Sequence, residues 1–155
     1  PVVETIAGRA TMLQDNPLNA GPIGVTGSDS ANHMANEADV VLAIGTRLQD
    51  FTTGSWTVFK NPEMKLVSIN VAKFDAIKHM SYPVLGDAKT SMTKLSALLG
   101  DWRSGDEWSA KAKAEADEWK ALVHRRTHPQ EGDLLPGMSS YAEVIGKLNT
   151  SMEKG

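Results

Sequence analysis

Three glycines with a regular spacing lie just ahead of a predicted helix. They are Gly21, Gly24 and Gly27, and the first helix-capping residue is Ser28. Backbone amides in such a segment can approach a phosphate, because a helix N-terminus favours negative charge. The spacing differs from the G-x-G-x-x-G pattern of dinucleotide-binding folds, and the segment does not directly follow a strand. Phosphate binding and tight packing of an irregular segment are therefore equally good interpretations.

Two polar side chains follow apolar runs that are predicted as strands. Arg47 comes just after the run VVLAI and could pair with a phosphate or carboxylate, or with a nearby carbonyl or Asp50. Asn70 stands where nucleotide-binding folds often place an acid for a ribose hydroxyl. An amide can also bond a ribose, but it lacks the charge-assisted strength of a carboxylate. Both residues are candidates for ligand contact.

The histidines give weaker signals. His124 and His128 are four residues apart, which on a helix would place both rings on one face as metal ligands. Pro129 disfavours helix at His128 and no third ligand is evident, so no metal site is predicted. His33 and His79 are interpreted as packed or surface side chains. With no G-x-S-x-G elbow and no spaced carboxylate pair, no catalytic residue is predicted.

Strands and helices alternate along the chain and must position these residues. Strands are predicted at residues 1–6, 40–44, 66–71 and 82–85. Helices are predicted at residues 28–38, 88–99, 106–126 and 139–149. Residues 8–27 hold so many glycines and prolines that an ordered but irregular segment is expected there. The continuously apolar run 40–44 is typical of a strand covered on both faces.

This alternation indicates an α/β fold with a doubly wound, mainly parallel sheet flanked by helices. In such sheets ligands bind beyond the carboxyl ends of the strands. Here those ends are expected to bring residues 5–6, 45–47, 69–70 and 86–87 together. Trp56, in the long connection after the second of these strands, is the tryptophan whose role we would test first. The other three tryptophans are interpreted as packing or interface anchors.

Composition excludes several classes of function. The chain has 155 residues, the size of one domain, and a net charge of −3 without a basic stripe, so nucleic acid is not an expected partner. The absence of cysteine excludes disulfides and thiolate metal sites and fits a cytoplasmic protein. No apolar run approaches the length of a bilayer span. The given N-terminus lacks the charged-then-apolar pattern of a signal peptide. A membrane partner is not expected.

Four segments carry a resemblance to a known family. They are PVVET at 1–5, GPIGVTGSDSAN at 21–32, EADVVLAIGTRLQDFTTGSW at 37–56 and VSINV at 67–71. Their order and spacing resemble the middle domain shared by thiamine-diphosphate enzymes such as acetolactate synthase, pyruvate oxidase and oxalyl-coenzyme A decarboxylase. The most recognisable arrangement is filled here by Ala38, Asp39, Gly45, Arg47 and Asp50. The longer string IGTRLQDFTTGSWTVFKNP resembles the trihydroxycyclohexanedione hydrolase subfamily, also labelled malonic semialdehyde decarboxylase.

The resemblance implies a multidomain enzyme of myo-inositol catabolism that opens the ring of a cyclic dione by carbon–carbon hydrolysis. Thiamine diphosphate and Mg²⁺ are then expected between an N-terminal and a C-terminal domain of different subunits, and not on this chain, which alone is expected to be inactive. Its partners would be the other domains and subunits of a homo-oligomer. The alternatives are the middle domain of an acetolactate synthase-like enzyme or of a decarboxylase, an ADP- or FAD-binding module, and a small stand-alone enzyme.

In several relatives the middle domain binds the adenosine part of FAD, or ADP. The nucleotide crevice of those relatives is matched here by Gly24, Gly45, Arg47, Asn70 and Asp87. Thr26, which lies close to Gly24 in the sequence, is counted with them. Thr26 stands where acetolactate synthases usually have histidine, and Asn70 where they usually have aspartate. These departures count against a retained nucleotide.

The resemblance also divides the chain. Residues 1–126 match the middle domain, 127–138 a linker, and 139–155 the start of the cofactor-binding C-terminal domain. The family's middle domain normally begins with a strand and helix ahead of the segment that matches Pro1. Without them we expect an exposed sheet edge or face that another copy covers.

Overall fold

A computed structural model describes residues 1–135 and 137–152. The strands are β1 (Val2–Glu4), β2 (Asn19–Pro22), β3 (Val40–Ile44), β4 (Lys65–Asn70) and β5 (Tyr82–Leu85). The α-helices are α1 (Asp29–Glu37), α2 (Asp50–Thr53), α3 (Lys73–Ala76), α4 (Ala88–Leu99), α5 (Asp106–Thr127) and α6 (Tyr141–Ser151). Single 3₁₀ turns occupy Ile6–Gly8 and Lys78–Met80.

All strand pairs that the structure describes are parallel, and helices flank them, which confirms the α/β class. The strands form two sheets instead of one: β1 pairs with β2, and β4 lies between β3 and β5. In the larger sheet Ile69 lies opposite Ile44 on one side and Val84 on the other. The carboxyl ends of its three strands therefore lie at one edge.

Strand β2 was not predicted. Its sequence, NAGP, contains a glycine and a proline and carries no β-branched residue. It forms because β1 pairs with it, with the amide of Val2 donating to Leu18 O at 2.7 Å. The predicted strand 1–6 is shorter than expected, because Thr5 caps the 3₁₀ turn that follows β1. The partner strand, and not local propensity, stabilises β2.

The two sheets share a hydrophobic core. It is built from α1 and the segment before β4, with buried Ile23, Ala31, Ala35, Val58 and Phe59. Val3 of β1 and Val41 of β3 both pack against this cluster. Helix α1 and the segment before β4 therefore cover one face of each sheet.

Strand β3 is not covered on both faces, and this prediction was wrong. Val40, Leu42 and Ile44 are 57%, 38% and 40% exposed, whereas Ala43 is 5% exposed. Successive side chains of a strand point to opposite faces, so only one face of β3 meets the core. On the other face the described residues leave the apolar side chains accessible. This exposed face agrees with the expectation of an uncovered sheet surface.

Helix α1 begins as the capping residues predict. Ser28 accepts a hydrogen bond from the amide of Ala31 at 3.2 Å and is fully buried. Its neighbour Ser30 donates to Ala20 O at 2.6 Å, which fixes the helix against β2. Since these serines are buried but hydrogen-bonded, the N-terminus of α1 is held at a defined position behind the glycine-rich segment.

The chain divides into two compact units, residues 1–116 and 117–155, and the division falls within α5. In the second unit, Ser140 caps α6 by accepting from the amide of Glu143 at 3.0 Å, as predicted. Gly146 of α6 lies so close to Thr127 that an added Cβ would be 2.7 Å from the threonine Cβ. The predicted division into a domain, a linker and a following domain stays a prediction. None of the described helices combines the length and apolarity needed to cross a bilayer.

Candidate functional site

The carboxyl edge of the three-stranded sheet brings Gly45, Asn70 and Asp87 together. The amide of Gly45 donates to Ile69 O at 2.8 Å, and the amide of Gly86, next to Asp87, donates to Asn70 O at 3.1 Å. These backbone hydrogen bonds continue the pairing of β3, β4 and β5 by one residue past the strand ends. Three residues predicted as a crevice therefore lie on adjacent connections.

The Asn70 side chain makes two bonds within the protein. Its Nδ2 donates to Thr46 O at 3.1 Å, and its Oδ1 accepts from the amide of Ala72 at 3.0 Å. The residue is 7% exposed. Both ends of the amide are therefore engaged in joining the connections after β3 and β4, which leaves little capacity for the predicted ribose contact.

Two further side chains hold the connection after β3. Lys78 Nζ donates to Arg47 O at 3.3 Å, and a ring nitrogen of His79, Nε2, lies 3.1 Å from Leu48 O. The His79 ring also stacks on Trp56, with centroids 4.0 Å apart and planes at 18°. Together with the bond from Asn70 to Thr46 O, three consecutive carbonyls after β3 are contacted by side chains at the end of β4 and in the connection that follows it. We call this arrangement the carbonyl clamp.

The guanidinium of Arg47 is largely free of the clamp. Its Nε lies 3.9 Å from Asp75 Oδ2, and its side chain is 73% exposed. Asp75 also pairs with Lys78 at 3.0 Å. An exposed ion pair at this separation contributes little to stability. Arg47 can therefore turn toward a ligand anion at little energetic cost.

Asp87 acts as a helix cap. It accepts the amide of Thr90 at 2.8 Å at the start of α4. Hydrogen bonds from the amide and hydroxyl of Thr90 hold the pKa of Asp87 below its ordinary value. The carboxylate stays ionised at neutral pH and stabilises the N-terminus of α4.

The two glycines of the predicted crevice are required for different reasons. A Cβ added at Gly24, where φ is +115°, would lie 2.5 Å from Phe51 O. At Gly45, where φ is +61°, an added Cβ would meet no described atom within 4 Å. Gly24 is required because another chain segment approaches it too closely for a side chain. Gly45 is favoured only because its backbone conformation is unfavourable for other residues.

A cleft of about 180 Å³ lies beyond the carboxyl ends of β1 and β2. Its lining residues come from three chain segments and are Ile6, Arg9, Pro22, Ile23, Thr26, Phe51 and Thr52. Thr26 is the single member of the predicted crevice that lines it. The structure therefore separates the predicted residues into Gly24 and Thr26 beside this cleft, and Gly45, Arg47, Asn70 and Asp87 at the edge of the larger sheet. Whether either group binds a nucleotide stays a prediction.

A buried carboxylate lies behind Arg9, one of the residues that line the cleft. Glu4, 4% exposed, accepts from the Thr11 hydroxyl and the Met12 amide, both at 3.0 Å. Burial by itself raises the pKa of Glu4, but these hydrogen bonds and the nearby Arg9 charge outweigh it and lower the pKa overall. Glu4 is therefore ionised at neutral pH and fixes the loop that carries Arg9.

The histidines do not form a metal site with other ligands in the described ranges. His124 and His128 do lie on one face, with stacked rings 4.3 Å apart. The amide of His128 bonds His124 O at 2.9 Å, so Pro129 does not prevent the last helical turn. His33 lies 2.8 Å from Glu115. Among residues 1–135 and 137–152, no three His, Cys, Asp or Glu side chains converge as metal ligands.

Two features of the site were missed from the sequence. Arg9 was not selected, although it is the first lysine or arginine of the chain and the next is Arg47. A single basic residue near a glycine-rich segment could have identified Arg9 as a candidate for anion binding. The contacts of Lys78 and His79 with the carbonyls after β3 span 31 residues in sequence, and no local pattern predicts them.

The sequence was compared with known families and curated proteins. Residues 1–95 match the model described as thiamine pyrophosphate enzyme, central domain. The match ends within α4 and includes every residue of the predicted crevice, the cleft and the carbonyl clamp.

Three curated relatives carry the same activity name, 3D-(3,5/4)-trihydroxycyclohexane-1,2-dione hydrolase. The protein of Clostridium perfringens strain ATCC 13124 is 41% identical over 128 residues, covering 80% of this chain and 20% of the relative. That of Clostridium botulinum strain Alaska E43 is 39% identical, covering 83% and 20%. That of Bacillus anthracis strain CDC 684 is 32% identical over 174 residues, covering 99% and 27%. The chain thus spans about a fifth to a quarter of these relatives' length.

Proposed function

The chain belongs to the thiamine pyrophosphate enzyme central domain family, and from that premise we propose that it is the structural central domain of a trihydroxycyclohexanedione hydrolase. In this role it joins catalytic domains that lie elsewhere in a longer polypeptide and contributes no catalytic group. The observation that carries the proposal is the identity of 41% over most of the chain with a protein of that name. Acetolactate synthase-like and decarboxylase activities have no comparable relative among those named above.

The arrangement of polar groups supports a structural role. At the carboxyl edge of the larger sheet, Asn70 and Asp87 are engaged in hydrogen bonds within the protein. Their bonds hold the connections after β3, β4 and β5 in place. Side chains whose donors and acceptors are engaged within the protein hold the backbone in place and have little capacity left for a substrate.

The described residues bring together no cluster of acidic or histidine side chains for the metal ion that accompanies thiamine diphosphate. Mg²⁺ bound to a diphosphate takes further oxygen ligands from carboxylates or amides. No three acidic or histidine side chains converge in the described ranges. We assign no step of the reaction to residues of this chain and propose, from the family resemblance, that other domains of the full enzyme bind thiamine diphosphate and Mg²⁺.

Calorimetry on the 155-residue chain tests this proposal. Titration with thiamine diphosphate and MgCl₂ is expected to give no saturable heat. Tight, saturable binding would contradict the structural role. The coding sequence that surrounds the chain offers a second test, since the family resemblance implies a downstream G-D-G motif followed by an asparagine, and an upstream glutamate on a strand.

A second candidate is a nucleotide-binding module, favoured by the exposed guanidinium of Arg47. Arginine pairs well with the phosphates of ADP or the diphosphate of FAD. Titration of the wild-type chain and of Arg47→Ala with each nucleotide separates the two roles. Heat for the wild type that is lost in the variant supports the module, and no heat for either nucleotide rejects it.

We also propose that the full enzyme is a cytoplasmic homo-oligomer. The absence of cysteine fits a reducing compartment. The apolar side chains exposed on β3 offer a surface that another domain or subunit would cover. Sedimentation of the full-length enzyme would test this, and a monomer at micromolar concentration would contradict it.

A further inference from the structure

We propose that the cleft beside Arg9 binds a small organic monoanion, with a carboxylate at the guanidinium and a flat apolar body against the walls. The inference goes beyond the structural role proposed above and does not depend on it. It rests on the shape of the cleft, on the state of the Arg9 side chain, and on two exposed apolar side chains.

The walls of the cleft are joined by backbone hydrogen bonds. The amide of Ile23 donates to Glu4 O at 3.0 Å, which ties the end of β2 to the end of β1. The amide of Val25 donates to Phe51 O at 3.0 Å, which ties the glycine-rich segment to α2. Three chain segments therefore meet in a fixed arrangement, and a ligand would not have to order them.

The Arg9 guanidinium has free hydrogen-bonding capacity. Its closest charged partner is Glu4 Oε2 at 3.9 Å, beyond hydrogen-bond distance. Glu4 instead accepts from Thr11 and Met12 through its other oxygen. In the part of the chain that the structure describes, the Arg9 side chain makes no hydrogen bond, and it is 46% exposed. Such a guanidinium can bind a carboxylate with two parallel bonds.

The apolar walls define the rest of the ligand. Ile6 is 64% exposed and Phe51 49% exposed, although both line the cleft. Pro22 and Ile23 complete the apolar surface. An apolar ring or short chain in the cleft would remove water from these side chains, which favours binding. Thr26 adds a hydroxyl to the lining. The volume of about 180 Å³ limits the ligand to one ring or a few carbons.

Benzoate is the probe, and benzamide, of the same shape but neutral, is its control. Titration of the ¹⁵N-labelled chain is expected to give saturable amide shifts at Ile6, Thr26 and Thr52. Benzamide should bind about tenfold more weakly, because it brings no negative charge to the Arg9 guanidinium. Absence of saturable shifts with benzoate, or shifts that map away from the cleft, would overturn the proposal.

Variants test the role of Arg9 directly. Arg9→Gln is expected to abolish the preference for benzoate over benzamide, while Arg103→Gln, the matched control at an exposed arginine bonded to its neighbour's carbonyl, should keep it. Thr26→Glu adds a negative charge at the exposed rim and should abolish benzoate binding without touching Arg9. Equal benzoate affinity in wild type, Arg9→Gln and Thr26→Glu would contradict the proposal. Arg47→Gln should leave benzoate binding unchanged, because Arg47 does not line the cleft.

Discussion

Helices α1 and α4 follow similar capping signals but differ in how deeply they are buried. Four residues of α1 are buried, among them Met34 at 2% exposure, whereas α4 has no buried residue and exposes Leu98 by 85%. α1 lies where both sheets contribute to one core, and α4 follows β5 at the outer side of the larger sheet. An amphipathic pattern therefore predicts that a helix can be buried, but the neighbouring elements decide whether it is.

The largest effect is expected from Gly24→Ala on the α1 side. The added Cβ would collide with Phe51 O, and φ of +115° is strained for alanine. We expect a loss of about 3 kcal/mol or more in the free energy of unfolding, measured by urea denaturation. Gly45→Ala is the control with a positive φ but open space, and it should cost about 1–2 kcal/mol. Equal losses would show that the close approach at Gly24 is not rigid.

The second prediction compares two methionines on the two helices. Met34→Ala in α1 removes a buried side chain packed near Ala20 and Ala112, and we expect it to cost about 2–5 kcal/mol. Met92→Ala in α4 removes a side chain that is 40% exposed, and should cost under about 1 kcal/mol. Thermal unfolding of both variants checks the difference. Similar losses would mean that α4 is as well packed as α1.

The buried carboxylate of Glu4 makes the free energy of unfolding depend on pH. Its pKa is lowered in the folded state, so the unfolded chain takes up a proton more readily as the pH falls. The stability that Glu4 contributes is therefore complete above its unfolded pKa, near 4.5, and is lost as the pH falls through the folded value. Glu4→Gln should cost about 1–3 kcal/mol at pH 7 and flatten the decline below pH 4.5.

The matched control is Glu143→Gln in the second unit. Its pKa is lowered mainly by its hydrogen bond with Lys147, whose side chain is exposed, so the substitution should change the acid dependence much less. Denaturant unfolding between pH 3 and 7 measures both. An unchanged slope in Glu4→Gln would contradict the contribution of the buried carboxylate.

The smallest effect on stability is expected on the exposed face of β3. Leu42→Lys places a charge on this face and should change the free energy of unfolding by less than about 0.5 kcal/mol. It should, however, lower any self-association of the chain, because it interrupts an apolar row. Sedimentation velocity at increasing concentration compares it with Ser96→Lys, which adds the same charge on α4. Equal association of the two variants would show that the face of β3 is not involved.

These elements also show how far the sequence could predict the fold. Local signals found the start of α1 at Ser28 and of α6 at Ser140, because a capping hydroxyl and its target amide are three residues apart. β2 was missed, because it depends on β1 and not on its own residues. The coverage of β3 was overestimated for the same reason. An apolar run shows that burial is favourable, but not which element supplies it.

The candidate site divides in the same way. Gly24, Gly45 and Asp87 were selected through the family resemblance, and their role in binding stays a prediction, although the structure gives each a local reason: positive φ at the glycines and a helix cap at Asp87. The carbonyl clamp could not be predicted, because Lys78 and His79 act on backbone carbonyls 31 residues away. Backbone acceptors have no sequence signature.

The carbonyl clamp has a consequence for motion. The carbonyls of Thr46, Arg47 and Leu48 are contacted by Asn70 at the end of β4 and by Lys78 and His79 beyond it, so opening of the whole loop after β3 requires all three contacts to break. Segments joined in this way open as one cooperative unit, with amide hydrogens that exchange at a common rate. The clamp thus couples the loop that carries Arg47 to the connection between β4 and β5, and any domain that presses on one will change the opening frequency of the other.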